Sequence, residues 1–407
     1  MHAPAIIDCG TGYSKIGFAG NDTPLHVVPT VVSSWEGHVA ASQKSSANSP
    51  LADLDFEIGT TALENQSFSR LTFPIRHGII ADWNAMEKFW ERAIFGLLRC
   101  DPEDHPFILT EPPMNPPENR EYTAEVMFES FNVPSLYIGV QAVLALAASF
   151  LWSSSTSAQL SGTVIDAGDG VTHIIPIIDG YVLPSAVKHI PIGGKDVTHF
   201  IQEIIRERES GAGGIPLEES FDVAKGIKES QCFVSNDIVK DWNSFTSKST
   251  ANPIYSYTGK KDAKAYEVEV GFERFLAPQA LLDPSLLQGD YKCTLAETVD
   301  ECIQKCPIDA RRMLYKNISL SGGSTMFPNF APKLNADISA LLEARGQGKV
   351  EVQIATNKRQ KYAVWYGASK LASVPGFLGV CCSSKAEYEE KGSGIFRQSK
   401  AIPFGAE

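Results

Sequence analysis

The stretch Ile6-Ile7-Asp8-Cys9-Gly10-Thr11-Gly12 has a second copy, Val164-Ile165-Asp166-Ala167-Gly168-Asp169-Gly170. In each, an apolar run ends in an aspartate, with glycines two and four residues later. Each is followed by another strand-like run, Ile16-Gly17-Phe18 in one and Ile174-Ile175-Pro176-Ile177-Ile178 in the other. A strand that ends in Asp and turns through Gly-x-Gly sets a carboxylate beside exposed backbone N–H groups, and glycine permits positive φ and close approach of a ligand. Such a nest of amides suits phosphate oxygens, and the carboxylate suits a magnesium ion held through water. One copy by itself is more commonly just a Gly-rich hairpin turn. Two copies, one in each half of the chain, suggest two related lobes gripping one nucleotide.

Working outward, candidate phosphate contacts are Gly10, Thr11, Gly12 and Tyr13 in the first turn, and Gly168, Asp169, Gly170 and Val171 in the second. Lys15, just past the first turn, is a candidate point charge for the terminal phosphates, although a single strand lysine is more often merely solvated. Asp8 and Asp166 occupy equivalent places. If the lobes face each other the two carboxylates converge, and a nucleotide-bound cation would relieve their repulsion; the simpler role is that each caps its own turn. Leu320-Ser321-Gly322-Gly323-Ser324-Thr325-Met326 reads as a strand ending in Gly-Gly, which suits contact with an adenine–ribose. Gln141 lies in an otherwise apolar helix. It either bonds neighbouring backbone or orients a water towards the terminal phosphate. His173, three residues after Gly170, is a candidate proton acceptor.

The 407 residues are enough for two or three domains. With 43% hydrophobic and 21% charged residues the composition is globular. A net charge of −12 gives no support for nucleic-acid or acidic-membrane binding. The eight cysteines include no Cys-x-x-Cys pair and the eight histidines add no zinc spacing, which points to free thiols in a reducing cytosol. The N-terminus lacks the features of a signal peptide. The apolar run over 136–152 is interrupted by Gln141 and Ser149 and reads as a buried helix, not a membrane span.

Pattern places strands over 5–32 and an unpatterned surface segment over 33–52. A return to the sheet follows over 73–80, then a helix over 83–98 capped by Asp82. A strand over 107–110, a helix over 118–131, a strand over 136–138 and the Gln141 helix complete the first half. The second half repeats the plan: a hairpin over 164–178, more sheet over 181–190, a helix over 196–209, a Gly-rich break over 211–214 and a helix over 218–229. A polar insertion spans 235–264. Then come helices over 295–306 and 362–372 with a strand over 317–320 between them, and a polar surface tail from 383. The result is mixed sheet with helices packed on it.

Asp8 to Lys15, Pro74-Ile75-Arg76-His77-Gly78, residues 116–127, Gln141-Ala142-Val143-Leu144-Ala145-Leu146, Asp166 to His173, Leu320 to Met326 and Lys361-Tyr362-Ala363-Val364-Trp365 together resemble the actin family, over nearly the whole chain. The resemblance implies an α/β, actin-like ATPase fold: two ribonuclease-H-like lobes, mixed sheets flanked by helices, with a nucleotide cleft between them. It implies four subdomains: the first from 1–32, 71–148 and 363–407, the second from 33–70, the third from 149–192 and 290–362, the fourth from 193–289. It also implies ATP (or ADP) with Mg2+ (or Ca2+). On matching positions Asp8 and Asp166 lie near the cation and its waters, Gly10 to Tyr13, Lys15 and Gly168 to Val171 hold phosphates, and Gln141 and His173 flank the hydrolytic water. Lys225, Lys228, Glu229, Gly322 to Met326 and Lys361 surround the nucleoside.

Residues 118–125, Lys188-His189-Ile190-Pro191-Ile192 and residues 306–312 resemble one branch of the family, whose members pair with actin-related protein 2 in a seven-subunit assembly. That assembly works with nucleation-promoting factors and actin filaments to start filament branches. The branch implies a cytoplasmic protein of the actin cytoskeleton, with no nucleic-acid partner and no membrane insertion. The resemblance has departures. The loop that conventional actin uses to grip its neighbour is replaced by residues 33–52, which argues against self-polymerisation. Lys195 stands where Arg is usual, and 343–349 is short for the branch. A conventional filament-forming actin is the alternative. A sugar kinase of the same superfamily would need a catalytic carboxylate in a sugar pocket, for which the chain has no motif.

Overall fold

The computed structural model describes residues 2–35, 55–65, 69–153, 160–208, 215–247, 252–259, 264–398 and 400. Two compact units emerge: Met1–Val164 with Ile177–Pro184 and Tyr362–Glu407, and Ile165–Pro176 with Ser185–Lys361.

The first unit is built on a six-stranded sheet in the order Ser383–Ser384, Ser135–Val140, Phe107–Glu111, Ala5–Cys9, Tyr13–Phe18, His26–Pro29. The three strands from Ser135–Val140 to Ala5–Cys9 run parallel, and the hairpin Ala5–Cys9/Tyr13–Phe18 is antiparallel. Ala5 to Asp8 are all buried, because a strand in mid-sheet has both faces covered. One face meets Phe89, Trp90, Met127 and Phe128. On the other, Trp365 donates its indole N–H to the Ile6 carbonyl. The helices Gln141–Ser153 and Ala363–Ala372 cross so tightly that a Cβ on Gly367 would lie 2.0 Å from the Leu144 carbonyl oxygen.

Asp82 caps the helix Trp83–Glu91, accepting from the Ala85 amide, as its position predicts. Beyond it the chain does not stay α-helical. It widens into a π-helix, Arg92–Leu98, and the helix Pro117–Glu125 does the same over Val126–Ser130. Periodicity near 3.6 cannot separate the two forms over so few residues. Residues 73–80 do not rejoin the large sheet; Ile75–Arg76 and Ile79–Ile80 form their own hairpin. The segment expected as surface loop over 33–52 begins as strand Val32–Ser34, between Phe56–Ile58 and Arg70–Thr72, with Ser33 buried. Its remainder, 36–52, lies outside the described residues. The polar tail is also partly built in: Ser383–Ser384 adds a strand to the sheet edge, and Phe396 is buried against Phe128.

The second six-stranded sheet runs Tyr181–Val182, Thr172–Ile178, Gly162–Ala167, Ile318–Ser321, Ile354–Ala355, with Lys188–Ile190 also paired to Thr172–Ile178. Gly162–Ala167 and Thr172–Ile178 carry the chain across the unit boundary. The helix Gly194–Arg208 buries Val197, Ile201, Ile204 and Ile205, while Phe200, which its spacing also turns inward, is only half-buried. Residues 211–214 lie outside the described residues. The polar insertion over 235–264 contains a helix, Ile238–Thr246, capped by Asp237, and part of a hairpin, Ile254–Thr258 with Ala265–Glu269. Trp242 and Phe245 pack on Phe272, whose position in the next segment sequence periodicity does not reveal.

Candidate functional site

Both Asp-x-Gly-x-Gly stretches form hairpin turns closed by the same bond. The Gly10 amide donates to the Tyr13 carbonyl at 3.3 Å, and the Gly168 amide to the Val171 carbonyl at 3.0 Å. The sequence repeat is therefore a repeat of backbone geometry. The reason for glycine differs from the expected one, since none of these turn glycines has positive φ. At Gly10 the constraint is space: a Cβ would stand 2.9 Å from the Tyr13 carbonyl oxygen.

In the first unit, pairing of Asp8 with Lys15 across the hairpin brings the Lys15 ammonium 3.1 Å from the Asp8 carboxylate. Asp8 is only 2% exposed. Its Oδ1 accepts from the Thr110 hydroxyl at 2.7 Å and from the Gln141 amide at 3.3 Å. The carboxylate is thus held by the neighbouring parallel strand and by the first residue of the next helix, and it does not simply cap its own turn. Gln141 stands at that helix start, half-buried, not in the helix interior. Its Nε2 also reaches the Cys9 carbonyl and the Thr110 hydroxyl at 3.3 Å, so it bonds backbone and site together. Among the described residues its Oε1 meets no donor, which leaves an acceptor for water. The Thr11 hydroxyl accepts from the Gly78 amide, while the Thr11 and Gly12 amides donate to none of the described residues. Those two N–H groups beside Lys15 are the chemistry a phosphate needs.

In the second unit, Asp166 is half-buried at the end of Gly162–Ala167. The turn that follows is pinned by three bonds from two elements, the helix Gly194–Arg208 and the Ser324 turn. The Gly168 carbonyl accepts from the Gly194 amide at 2.9 Å and the Ser324 hydroxyl at 2.8 Å, and the Asp169 carbonyl from the Lys195 amide at 2.8 Å. Lys228 donates to the Gly194 carbonyl at 2.8 Å. Burial lowers the pKa of Lys228, opposed chiefly by the Asp169 carboxylate. Lys225, Lys228 and Glu229 share one face of the helix Ser220–Gln231. Gly322 (φ 90°) brings the Ile318–Ser321 strand end against the Ala167 carbonyl, and the short 3-10 helix Gly323–Met326 follows. Glu229, Met326 and Lys361 are exposed, and the Glu229 carboxylate adds a smaller upward pull on the pKa of Lys228.

His173 lies across the strand pair from His189, with Nε2 and Nδ1 3.2 Å apart. Burial, with a smaller push from His189, lowers the pKa of His173 to about 4. The ring is neutral near pH 7 and a weaker base than a free histidine.

Sequence reasoning missed Thr110 and Gln360. The buried Gln360 donates to the carbonyl and hydroxyl of Thr325 at 3.1 and 2.9 Å, which anchors the 322–326 turn. Neither has a motif of its own; the polar Thr110 inside an apolar strand was the one available signal. Among the described residues no three His, Cys, Asp or Glu side chains group to hold a metal ion. The eight cysteines form no disulfide, and among the described residues no helix is long and apolar enough to cross a membrane.

Comparison with known proteins gives a match to the family model described as Actin over residues 2–213 and 216–400. The chain is 47% identical to actin-related protein 3 of Dictyostelium discoideum, covering 98% of this chain and 97% of that one. It is also 47% identical to actin-related protein 3 of Drosophila melanogaster, covering 97% and 96%. With its two turns closed alike and a family match along almost all its length, the chain belongs to the actin family.

Proposed function

We propose that this chain is an ATP-binding, actin-related subunit of a seven-subunit complex that nucleates branched actin filaments, acting as a filament-end mimic beside actin-related protein 2. The observation that carries the reading is the near-full-length identity to two proteins named actin-related protein 3. In this reading the protein works in the cytoplasm at the actin cytoskeleton, with actin filaments and nucleation-promoting factors as partners. Its chain divides into the four subdomains set out above.

The nucleotide is ATP or ADP with Mg2+ or Ca2+. The residues fit such a ligand: unused amides at Thr11 and Gly12, the adjacent Lys15 ammonium, and a buried, prearranged Asp8 carboxylate. Amides from Gly10 to Tyr13 and from Gly168 to Val171 take phosphate oxygens, and Lys15 exchanges Asp8 for the terminal phosphates. Asp8 and Asp166 would hold a bound cation through its waters. Lys225, Lys228, Glu229, the 322–326 turn and Lys361 serve the nucleoside. The Gln141 Oε1 and His173 would orient the attacking water, and a bound cation would supply charge neutralisation at the phosphates. Any hydrolysis is slow and secondary to holding the nucleotide.

The test is native affinity purification from cytosol, with size and composition of the eluate measured and the eluate assayed for filament branching. Co-purification with actin-related protein 2 and five further subunits, with bound nucleotide, is expected. A purely monomeric native protein, or one that self-assembles with salt and magnesium, would overturn the reading.

A further inference from the structure

The His173–His189 contact is not accounted for by nucleotide binding. The two residues face each other on adjacent antiparallel strands, their rings 5.1 Å apart and inclined at 61°. His173 is 8% exposed, and His189 is exposed. His173 Nε2 is 3.2 Å from His189 Nδ1, so one hydrogen is shared between them. Among the described residues the remaining nitrogen of His173, Nδ1, has no hydrogen-bond partner. It is therefore the one available to a water or a ligand.

We propose that His189 is a positioning residue for His173: its proton state sets which nitrogen of His173 carries hydrogen, and hence whether Nδ1 accepts or donates. The inference rests on the reading above that His173 faces the hydrolytic water.

When both rings are neutral, His173 donates Nε2–H to His189 Nδ1. Each ring then holds its hydrogen on Nε2, the tautomer a free neutral histidine prefers, and His173 Nδ1 is a lone pair. When a proton arrives from solvent, it binds His173 Nδ1 while the Nε2 proton passes to His189 Nδ1. One proton is gained, and the charge resides on the exposed ring. His173 remains neutral, as its burial demands, but its Nδ1 now carries N–H and accepts nothing. Other titratable groups border this pair. Lys188 is ion-paired to Glu301 at 2.5 Å. Tyr291 donates to the His189 carbonyl at 2.7 Å, and Cys293 lies against Glu301. The Lys188–Glu301 pair is internally neutral, and His189 is the titratable side chain in hydrogen-bond contact with the His173 ring.

The test is long-range 1H–15N NMR of the full chain labelled at histidine, followed from about pH 5 to about pH 8, the window in which histidines titrate. Signals are assigned with His173→Gln and His189→Asn. We expect His189 to titrate and His173 to stay neutral, exchanging its protonated nitrogen at the His189 midpoint. A His173 that keeps one tautomer throughout, or that itself becomes imidazolium in this range, overturns the inference. In His189→Asn, His173 should hold one tautomer at every pH; because the wild-type spectrum decides alone, a misfolded variant changes nothing. Single-turnover hydrolysis of preloaded ATP should fall about tenfold per pH unit below the His189 midpoint in wild type and lose that dependence in His189→Asn. Absence of turnover at every pH would count against the hydrolytic reading of the site, and the spectrum would still decide the tautomer exchange.

Discussion

Replacing Gly322 with alanine tests whether the strand-end turn must be glycine for the second half of the candidate site to form. Gly322 has φ 90° and ψ 154°, a region open essentially to glycine alone. Holding alanine there costs about 1–3 kcal/mol. Its Cβ would also stand 2.2 Å from the Ala167 carbonyl oxygen and 3.1 Å from the Asp166 carboxylate. No side chain can rotate to relieve a contact with backbone, so the two strand ends must part by nearly an ångström. Overpacking of this kind costs about 1–3 kcal/mol more. Together these give roughly 4 kcal/mol, or about 8–16 °C in melting temperature for a unit of this size. Asp166 adjoins the clash, so affinity for Mg-ATP should fall as well. Differential scanning calorimetry and displacement of a fluorescent ATP analogue measure both. Gly323→Ala is the control: its Cβ would meet nothing within 4 Å, and stability should change by less than about 0.5 kcal/mol. If Gly322→Ala melted within about 2 °C of wild type, close to the control, the reasoning from φ and the Ala167 contact would be wrong.

Thr110→Val removes the hydroxyl that donates to the buried Asp8 carboxylate and keeps the side-chain shape. We expect about tenfold weaker Mg-ATP binding, the equivalent of a charge-assisted hydrogen bond, in equilibrium titration; an unchanged dissociation constant would remove Asp8 from the cation site. His173 also predicts a pH dependence of stability. Its folded pKa of about 4 lies below the ordinary histidine value near 6.5, so the unfolded chain binds the extra proton first. The contribution of the neutral ring is present above about pH 6.5 and lost as pH falls towards 4, up to ~3 kcal/mol. Urea denaturation across that window should show the slope in wild type and a shallower one in His173→Gln.

The parts of this protein legible in its sequence are those set by short-range chemistry. Two Asp-x-Gly-x-Gly stretches had to turn, Asp82 had to cap a helix, and apolar spacing marked the helices around both sheets. These features depend on residues within one or two turns of each other, which is why pattern reading reached Asp8, Lys15, Gly168 and Gly322. Tertiary structure decided what depends on partners remote in the chain. Thr110 meets Asp8 across 102 positions, and Gln360 meets Thr325 across 35. Ser383–Ser384 becomes a strand only because the edge of Ser135–Val140 is there to pair with it. Residues 238–246 form a helix whose Trp242 and Phe245 find Phe272 in the next segment. Local propensity is worth tenths of a kcal/mol per residue, whereas burying one aromatic side chain is worth about 1.5–3. Where the two compete, the remote contact prevails, and a linear pattern does not contain it.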